Sequence, residues 1–335
     1  MRWGLIGAST IAREWVAPAI VANGGTLVGV YSTSLERGEA YAAQVGVQQA
    51  YDSLEQMLDQ GLDAVYISTT NELHRAQVEA AAARGIPVYC EKPLATTLAD
   101  AQRMIEACAE AGVAMATNHH LRHAGTHRRM RDEVAAGHLG RPVSARVFHA
   151  VYLPEHLQGW RLTNPSAGAG VVLDITVHNA DTLAFILGEY QTHVMSQTQN
   201  CGMGSGSVED GAMGIWRFPS GLQAFTHEAF TMPHAHTGLE VHGSDASLYA
   251  DNVMTQKPVG TVTRHMGQTR EVLPTPAGNL YEAAVKDFVE AIARQQSPAC
   301  DGVAGYRSMA VAVATLKSAE LKQEVEVDYG PYSPF

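Results

Sequence analysis

The sequence predicts an α/β protein in two parts, a doubly wound domain with a parallel sheet followed by an α+β domain with a large open, mostly antiparallel sheet. Two observations predict this. Strand and helix patterns alternate over the first 120 residues, and closely spaced strand patterns with short turns dominate after Asn118. The predicted domains are therefore residues 1–120 and 121–335.

In the first part, predicted strands alternate regularly with predicted helices. Short apolar runs predict strands at Trp3–Gly7, Thr26–Tyr31, Asp63–Ser68, Ile86–Cys90 and Val113–Thr117. Apolar spacing predicts helices at Leu35–Val45, Leu73–Arg84 and Leu98–Ala111, and an earlier helix that Pro18 should kink or split. Strands alternating with helices of this length indicate βαβ units, and hence parallel strands with right-handed crossovers.

In the second part, strand patterns follow one another closely and are separated mostly by short turns. Strand patterns run from Val143 to Leu273, separated by turns such as Pro219–Gly221 and Gly243–Asp245, which is typical of an antiparallel meander. Helices are predicted at Thr126–Ala136, Asp174–Leu187, Tyr281–Arg294 and Val303–Glu320.

Composition excludes several functions. The formal net charge of −11 would repel nucleic acid, and no apolar run reaches the roughly 20 residues that span a membrane. The N-terminus enters a strand pattern without a signal peptide, so we expect a cytoplasmic protein. We expect its four separated cysteines to be buried free thiols: Cys90, Cys108, Cys201 and Cys300. Whether the protein is a monomer or a homo-oligomer stays open.

The turn after the first strand has the position of a Rossmann phosphate loop. Gly7 is followed by Ala8, Ser9, Thr10 and Ile11, all before or at the start of a predicted helix. Only the first fingerprint glycine is present, but small residues still allow close approach of a pyrophosphate to helix amides. The Ser9 hydroxyl could donate to a phosphate. A generic strand-to-helix turn is the alternative.

The end of the second strand predicts which dinucleotide binds. An enzyme that uses NAD usually carries an acid here, whereas this chain has Ser32 and Thr33, with Arg37 close by. Hydroxyl donors and a guanidinium suit a 2′-phosphate, so we predict NADP(H) as the cofactor. The alternative is a solvated turn with an ordinary surface arginine.

Lys92 is the first candidate catalytic residue. It follows Glu91 directly at the carboxyl end of the fourth predicted strand, where ligands bind in parallel sheets. Pro93 should hold Lys92 in an extended conformation. A lysine beside a carbonyl can serve as general acid or base. A surface lysine paired with Glu91 is the alternative.

Asp174 and His178 are the second candidate pair. Four residues apart on a helix, they would share one face, so that the imidazole exchanges a proton with a substrate hydroxyl while the carboxylate orients it. Asp174 could instead cap the helix, or the pair could belong to a metal site. The 15 histidines lack a coherent ligand spacing, and we expect no metal.

These residues together resemble the glucose–fructose oxidoreductase/inositol dehydrogenase (Gfo/Idh/MocA) family. The similarity rests on Glu91-Lys92-Pro93 after a Rossmann strand and on the Asp174-x-x-x-His178 spacing. Within that family, one sugar-reductase branch is similar over long segments of this chain, namely residues 4–16, 68–75, 90–98, 117–122, 145–162, 173–183 and 252–262.

The resemblance implies an NADP(H)-binding Rossmann domain, a substrate domain and a small-molecule sugar substrate. In the similar branch the expected reaction is reduction of the 2-keto group of 1,5-anhydro-D-fructose by NADPH, giving 1,5-anhydro-D-mannitol. Two alternatives are an NAD(P)-dependent dehydrogenase of another sugar, inositol or dihydrodiol on the same fold, and a non-catalytic cofactor-sensing protein.

The resemblance also implies roles for further residues. Ala8 to Ile11 would hold the pyrophosphate, and Ser32, Thr33 and Arg37 the 2′-phosphate. Other expected cofactor contacts are Thr69, Thr70, Asn71, Glu72, Leu73, His74, Glu91, Lys92, Asn118, Trp160, Arg161 and Tyr281. Lys92, Asp174 and His178 would contact the substrate.

Overall fold

The computed structural model describes all 335 residues and divides into two units. The first comprises Met1–His119 and Tyr281–Tyr306, and the second His120–Leu280 and Arg307–Phe335. The two predicted ranges differ from this division because residues 281–306 pack with the first unit. Phe288 accounts for this packing, since the centroid of its ring lies 5.8 Å from that of Trp3 and 5.4 Å from that of Tyr89.

The first unit contains a six-stranded, wholly parallel sheet in the order β3-β2-β1-β4-β5-β6. This is the strand order of a Rossmann domain. Its strands are largely buried along their length, as expected where helices cover both faces. The strands are β1 (Arg2–Ile6), β2 (Thr26–Tyr31), β3 (Gln49–Tyr51), β4 (Ala64–Ile67), β5 (Val88–Cys90) and β6 (Met115–Thr117).

The helices of this unit lie between the strands. They are α1 (Ala17–Ala22), α2 (Leu35–Val45), α3 (Leu54–Leu58), α4 (His74–Ala82) and α5 (Leu98–Glu110), and a single 3₁₀ turn, Asn71–Leu73, precedes α4. The predicted break at Pro18 appears as a change of helix type. A π-helical turn, Ala12–Val16, leads into α1, and Pro18 falls in the first turn of α1, where its missing N–H removes no bond within that helix.

Two short elements of the first unit, β3 and α3, were not predicted. Each has five residues or fewer, which is too short for a periodic pattern. The Ser53 side chain caps α3 by accepting from the Gln56 amide.

The second unit contains a nine-stranded sheet in the order β14-β13-β12-β11-β7-β10-β9-β8-β15. All neighbours are antiparallel except β7 and β10, which run parallel. The strands are β7 (Pro142–Ala150), β8 (His193–Gln199), β9 (Gly211–Arg217), β10 (Gln223–Ala229), β11 (Gly238–Gly243), β12 (Ser247–Asp251), β13 (Thr261–Met266), β14 (Thr269–Leu273) and β15 (Val325–Glu326). The predicted fold class is confirmed.

The remaining helices complete the chain. They are α6 (Gly125–Ala135), α7 (Gly159–Thr163), a π-helical turn (Val172–Thr176) continuing as α8 (Val177–Leu187), α9 (Leu280–Arg294) and α10 (Gly302–Leu321). Further 3₁₀ turns lie at His120–His123, Glu155–Leu157, Pro165–Ala167 and Gly330–Tyr332.

One helical stretch, Pro165–Leu187, has the length and apolar composition of a membrane span. Its most apolar window is 83% buried inside the protein, which is the property of a core helix.

The cysteines are all free thiols, as predicted, but only three are buried. Cys201 is exposed in the loop after β8, so the expectation of burial was wrong at that position.

Candidate functional site

The phosphate loop begins at Gly7, directly after β1. Gly7 has φ +106°, and a Cβ there would lie 3.0 Å from the Thr69 amide nitrogen and 3.1 Å from the Ser68 carbonyl carbon. Glycine is therefore required where the chain leaves β1 close beside the end of β4. Gly7 is the one glycine of the Rossmann fingerprint that this chain retains, and this turn requires glycine there.

Ser9 stabilises the loop internally. Its hydroxyl donates to Ser68 Oγ at 2.7 Å and accepts from the Ala12 amide at 3.1 Å. Its carbonyl accepts from the Tyr41 hydroxyl at 3.0 Å. The predicted donor to a phosphate is thus directed at Ser68, and Tyr41, which sequence reasoning missed, holds the loop from α2.

The end of β2 carries a hydrogen-bonded arginine. Arg37 Nε donates to Ser32 Oγ at 3.1 Å, and its Nη2 donates to Thr33 Oγ1 at 3.3 Å. The Ser34 side chain caps α2 by accepting from the Arg37 amide. Ser32 is buried while the arginine is exposed. The structure therefore groups the predicted 2′-phosphate residues at one strand end.

The loop after β4 holds the next predicted group. Thr69 Oγ1 donates to Gln77 Oε1 at 2.7 Å, and Thr70 Oγ1 donates to Glu72 at 2.9 Å. Asn71 is buried, whereas Leu73 is exposed. Only part of this predicted cofactor lining is open to a ligand.

His74 has a structural position. It is 0% exposed, and its ring lies within hydrogen-bonding distance of the carbonyls of Thr69, Pro93 and Leu94. Burial lowers the pKa of the imidazole, which favours the neutral ring. His74 thus ties the loop after β4 to the loop after β5, and its side chain is not accessible to a cofactor.

A buried polar network surrounds Glu91, the residue that precedes Lys92. The Glu91 carboxylate accepts from the Tyr66 hydroxyl and from Asn118 Nδ2, and Asn118 Oδ1 accepts from the Tyr89 hydroxyl at 2.6 Å. Burial raises the pKa of Glu91, although hydrogen bonds from Tyr66 and Asn118 and the charge of Lys92 oppose this effect. Lys92 itself is half-buried at the carboxyl end of β5. Glu91 and Asn118 are therefore in place to fix the backbone that carries the lysine.

Tyr281 lies inside the first unit. Its side chain is 0% exposed and stacks on Trp15 with ring centroids 5.5 Å apart. The structure places this predicted site residue in an aromatic core contact.

In the second unit, Asp174 lies beside Arg161. The Arg161 Nε is 3.6 Å from Asp174 Oδ2, and the guanidinium lies 4.6 Å from the centroid of the Trp160 ring. All three side chains keep some solvent exposure. The structure therefore brings these three predicted residues together.

Asp174 does not cap its helix. It lies within the π-helical turn, and the residue at the helix start is Val171. The Glu209 carboxylate accepts from the Val172 amide at 3.1 Å instead. Gly170 has φ +113°, and a Cβ there would lie 2.2 Å from Glu209 Oε1. The capping alternative is therefore wrong, and Glu209 was missed because it lies 35 residues after Asp174 in the chain.

His178 lies in the first turn of α8 among other imidazoles. Its ring centroid is 5.1 Å from that of His120 and 6.1 Å from that of His149. The nearby His127 is 0% exposed, and burial lowers its pKa to about 4. His178 therefore lies beside the rings of His120 and His149.

A buried ion pair fixes α8. The Arg122 guanidinium donates to Asp181, with Nε 2.8 and 2.9 Å from the two carboxylate oxygens and Nη2 2.6 Å from Oδ1. The geometry is bidentate, which suits precise placement of a helix. The position of His178 on α8 is fixed accordingly.

Comparisons with known proteins match both parts of the chain. Residues 1–119 match the GFO/IDH/MocA oxidoreductase family with an NAD-binding Rossmann fold, and residues 127–249 match the GFO/IDH/MocA C-terminal domain. Over 330 residues the chain is 54% identical to the 1,5-anhydro-D-fructose reductase of Ensifer adhaerens, covering 98% of this chain and 99% of that protein.

Two further similarities are more distant. The chain is 29% identical over 339 residues to D-xylose 1-dehydrogenase (NADP(+)) 2 of Haloferax volcanii, covering 98% of this chain and 100% of that protein. The crystal structure of aldose-aldose oxidoreductase from Caulobacter crescentus complexed with glycerol matches with a TM-score of 0.89 at 23% identity, covering 97% of this chain and 99% of that one. The latter similarity establishes the fold alone.

Proposed function

Because the chain belongs to the GFO/IDH/MocA oxidoreductase family, we propose that it uses NADPH to reduce the 2-keto group of 1,5-anhydro-D-fructose, giving 1,5-anhydro-D-mannitol. The observation that carries the choice of substrate is the 54% identity to a 1,5-anhydro-D-fructose reductase along 98% of the chain. The choice of cofactor is supported by Arg37 and its two hydroxyl partners.

The residues present fit an NADP(H) molecule. Gly7 lets the backbone turn sharply where a pyrophosphate must approach, and Ala8 and Ser9 are small enough to leave that approach open. Arg37 would pair with the 2′-phosphate, because a guanidinium matches a phosphate with two parallel hydrogen bonds. No acidic residue lies at the end of β2 before Glu36, whose side chain is exposed.

When bound, NADPH supplies the hydride that the keto carbon accepts. The protein must then place a proton on the oxygen that becomes negatively charged. Lys92 and His178 are the two proposed donors, and which of them delivers the proton stays open. Lys92 would also stabilise the developing oxyanion through its charge.

Asp174 and Arg161 are proposed to position the sugar. A carboxylate accepts hydrogen bonds from hydroxyls and a guanidinium donates them, so the pair can hold two groups of a polyhydroxylated ring at once. Holding the ring in one orientation would contribute much of the rate enhancement.

A second candidate function is oxidation of another sugar or polyol with NADP⁺. The observation that favours it is the 29% identity to D-xylose 1-dehydrogenase (NADP(+)) 2. A cofactor-sensing protein without catalysis is less well supported, because both Lys92 and His178 are present.

Steady-state assays test these alternatives. Purified protein is given NADPH with 1,5-anhydro-D-fructose, and NADP⁺ with D-xylose or myo-inositol, at matched concentrations. We expect the highest kcat/KM for anhydrofructose and a mannitol-configured product by NMR. A higher kcat/KM for any of the other substrates would overturn the proposed substrate, and no turnover on the whole panel would overturn the enzymatic proposal.

We also propose a cytoplasmic location. Support comes from the free thiols, which persist in a reducing compartment, and from burial of the apolar stretch at residues 165–187.

A further inference from the structure

A buried polar chain links two strands to the helix that carries His178. Glu228 on β10 and His149 on β7 are paired neighbours across the parallel strands. Asn179 on α8 bridges them, with Nδ2 donating to Glu228 Oε1 at 2.8 Å and Oδ1 3.1 Å from His149 Nδ1. Glu228 is 1% exposed and Asn179 0% exposed. Such a completely buried chain is costly unless every member is hydrogen-bonded.

The chain has a defined direction. A carboxylate only accepts hydrogen bonds, and Glu228 Oε1 accepts from the Asn179 amide group at 2.8 Å. Acceptance by Glu228 therefore turns Nδ2 toward β10 and leaves Oδ1 toward His149. Because Oδ1 only accepts, His149 donates to it from Nδ1, which therefore carries a proton.

The His149 ring lies beside that of His178, with 6.1 Å between centroids and 44° between planes. The tautomer of His149 thus decides which of its ring nitrogens carries a proton and which carries a lone pair beside His178.

Glu228 itself is strongly perturbed by its surroundings. Burial raises its pKa to about 7, against the opposing hydrogen bonds of Asn179 and Thr226. A carboxyl group that is kept in a buried site at this cost is a candidate for a role beyond packing.

We propose that Glu228 is a positioning residue for the reaction: through Asn179 it fixes the tautomer of His149, and thereby the hydrogen-bonding surroundings of His178. The part concerning catalysis rests on the proposed function, whereas the part concerning the tautomer does not.

The test combines NMR and kinetics on the full-length protein. Ring ¹⁵N signals of His149, assigned by their loss in His149→Phe, report the tautomer directly. We expect the Nδ1–H form in the wild type and in Glu228→Gln, because a glutamine oxygen still accepts from Asn179. We expect Glu228→Leu and Asn179→Leu to produce a mixture of tautomers and to lower kcat roughly 10- to 100-fold, as small displacements near a reacting centre do. KM for NADPH should stay unchanged.

Gln191→Leu is the matched control for lost stability. Gln191 is 1% exposed, and its Nε2 donates to the Ala180 carbonyl in the same helix at 3.0 Å. This control should lower the unfolding temperature without changing the His149 tautomer or kcat beyond about twofold.

Several outcomes would overturn the inference. One is an Nε2–H tautomer in the wild type, and another is an unchanged Nδ1–H tautomer in both leucine variants. A loss of the tautomer in Glu228→Gln would also count against it. Absence of any sugar reduction by a wild type with the Nδ1–H ring would overturn the proposed function while leaving the control of His149 intact.

Discussion

Arg37 folds back along its own helix start and donates from Nε to the buried Ser32 hydroxyl at 3.1 Å. This contact holds the guanidinium at the end of β2, and a second bond from Nη2 to Thr33 fixes its rotation. An arginine held in this way loses less side-chain entropy on binding a phosphate than a mobile surface arginine.

Replacement of residues at this strand end should change the preferred cofactor. Ser32→Asp places a negative charge where the 2′-phosphate is proposed to bind, so we expect activity to move from NADPH toward NADH. Arg37→Ala should raise KM for NADPH roughly tenfold or more, consistent with the loss of a charged hydrogen bond. The ratio of kcat/KM values for the two cofactors measures both effects, and Glu36→Ala, at an exposed neighbouring position, is the control. An unchanged ratio in Ser32→Asp would show that the strand end does not select the cofactor.

Lys92→Ala and His178→Ala should each lower kcat for anhydrofructose by roughly two to four decades if acid–base catalysis is lost. Circular dichroism would verify folding, and steady-state kinetics would measure the rate. Lys286→Ala and His138→Ala are suitable controls, because both side chains are more than half exposed. Turnover near the wild-type value in both test variants would refute the assignment.

Gly170→Ala should destabilise the helix start that carries Asp174. The substitution combines a positive φ with a Cβ that would lie 2.2 Å from the Glu209 carboxylate. Gly188→Ala provides the control, since its φ is +72° but nothing lies within 4 Å of the added Cβ. We expect about 1 kcal/mol of lost stability for the control and clearly more for Gly170→Ala, measured by denaturant unfolding. Equal losses would mean that Glu209 moves aside without cost.

The pKa of Glu228 predicts a pH dependence of stability. Burial raises it from 4.5 to about 7, so the folded protein binds more protons than the unfolded chain between these values. Stability of the wild type relative to Glu228→Gln should therefore fall as pH rises from 4.5 to 7, by roughly 3 kcal/mol in total. Above pH 7 the difference should level off. Denaturant unfolding at pH 5, 6, 7 and 8 measures it, and a constant difference would indicate an ordinary carboxyl pKa.

Much of the fold was predictable because its signals are local. The apolar runs of β1, β2 and β4 and the capped helix α2 follow from adjacent residues, and β2 and α2 have the predicted bounds. The position of residues 281–306 was not predictable, because Phe288 packs against Trp3 and Tyr89 far away in the sequence.

Parts of the candidate site could also be placed from the sequence. Lys92, Ser32 and Arg37 follow strands whose ends are readable, so their positions at the ends of β5 and β2 could be inferred, while their roles stay predictions. Glu228 and Tyr66 could not be identified, because each acquires its partner only when separate elements pack together. Conversely, His74 belongs to a segment that matches the family, yet its side chain is used entirely within the protein.

The aromatic contacts of Phe288 also constrain how the protein is made. A ribosome that has released residues 1–120 has synthesised all six parallel strands but not the helix that covers Trp3 and Tyr89. Trp3 and Tyr89 lack this packing partner until residue 288 has been synthesised. The nucleotide-binding unit, though encoded first, is therefore completed only after a long stretch of the second unit has been made.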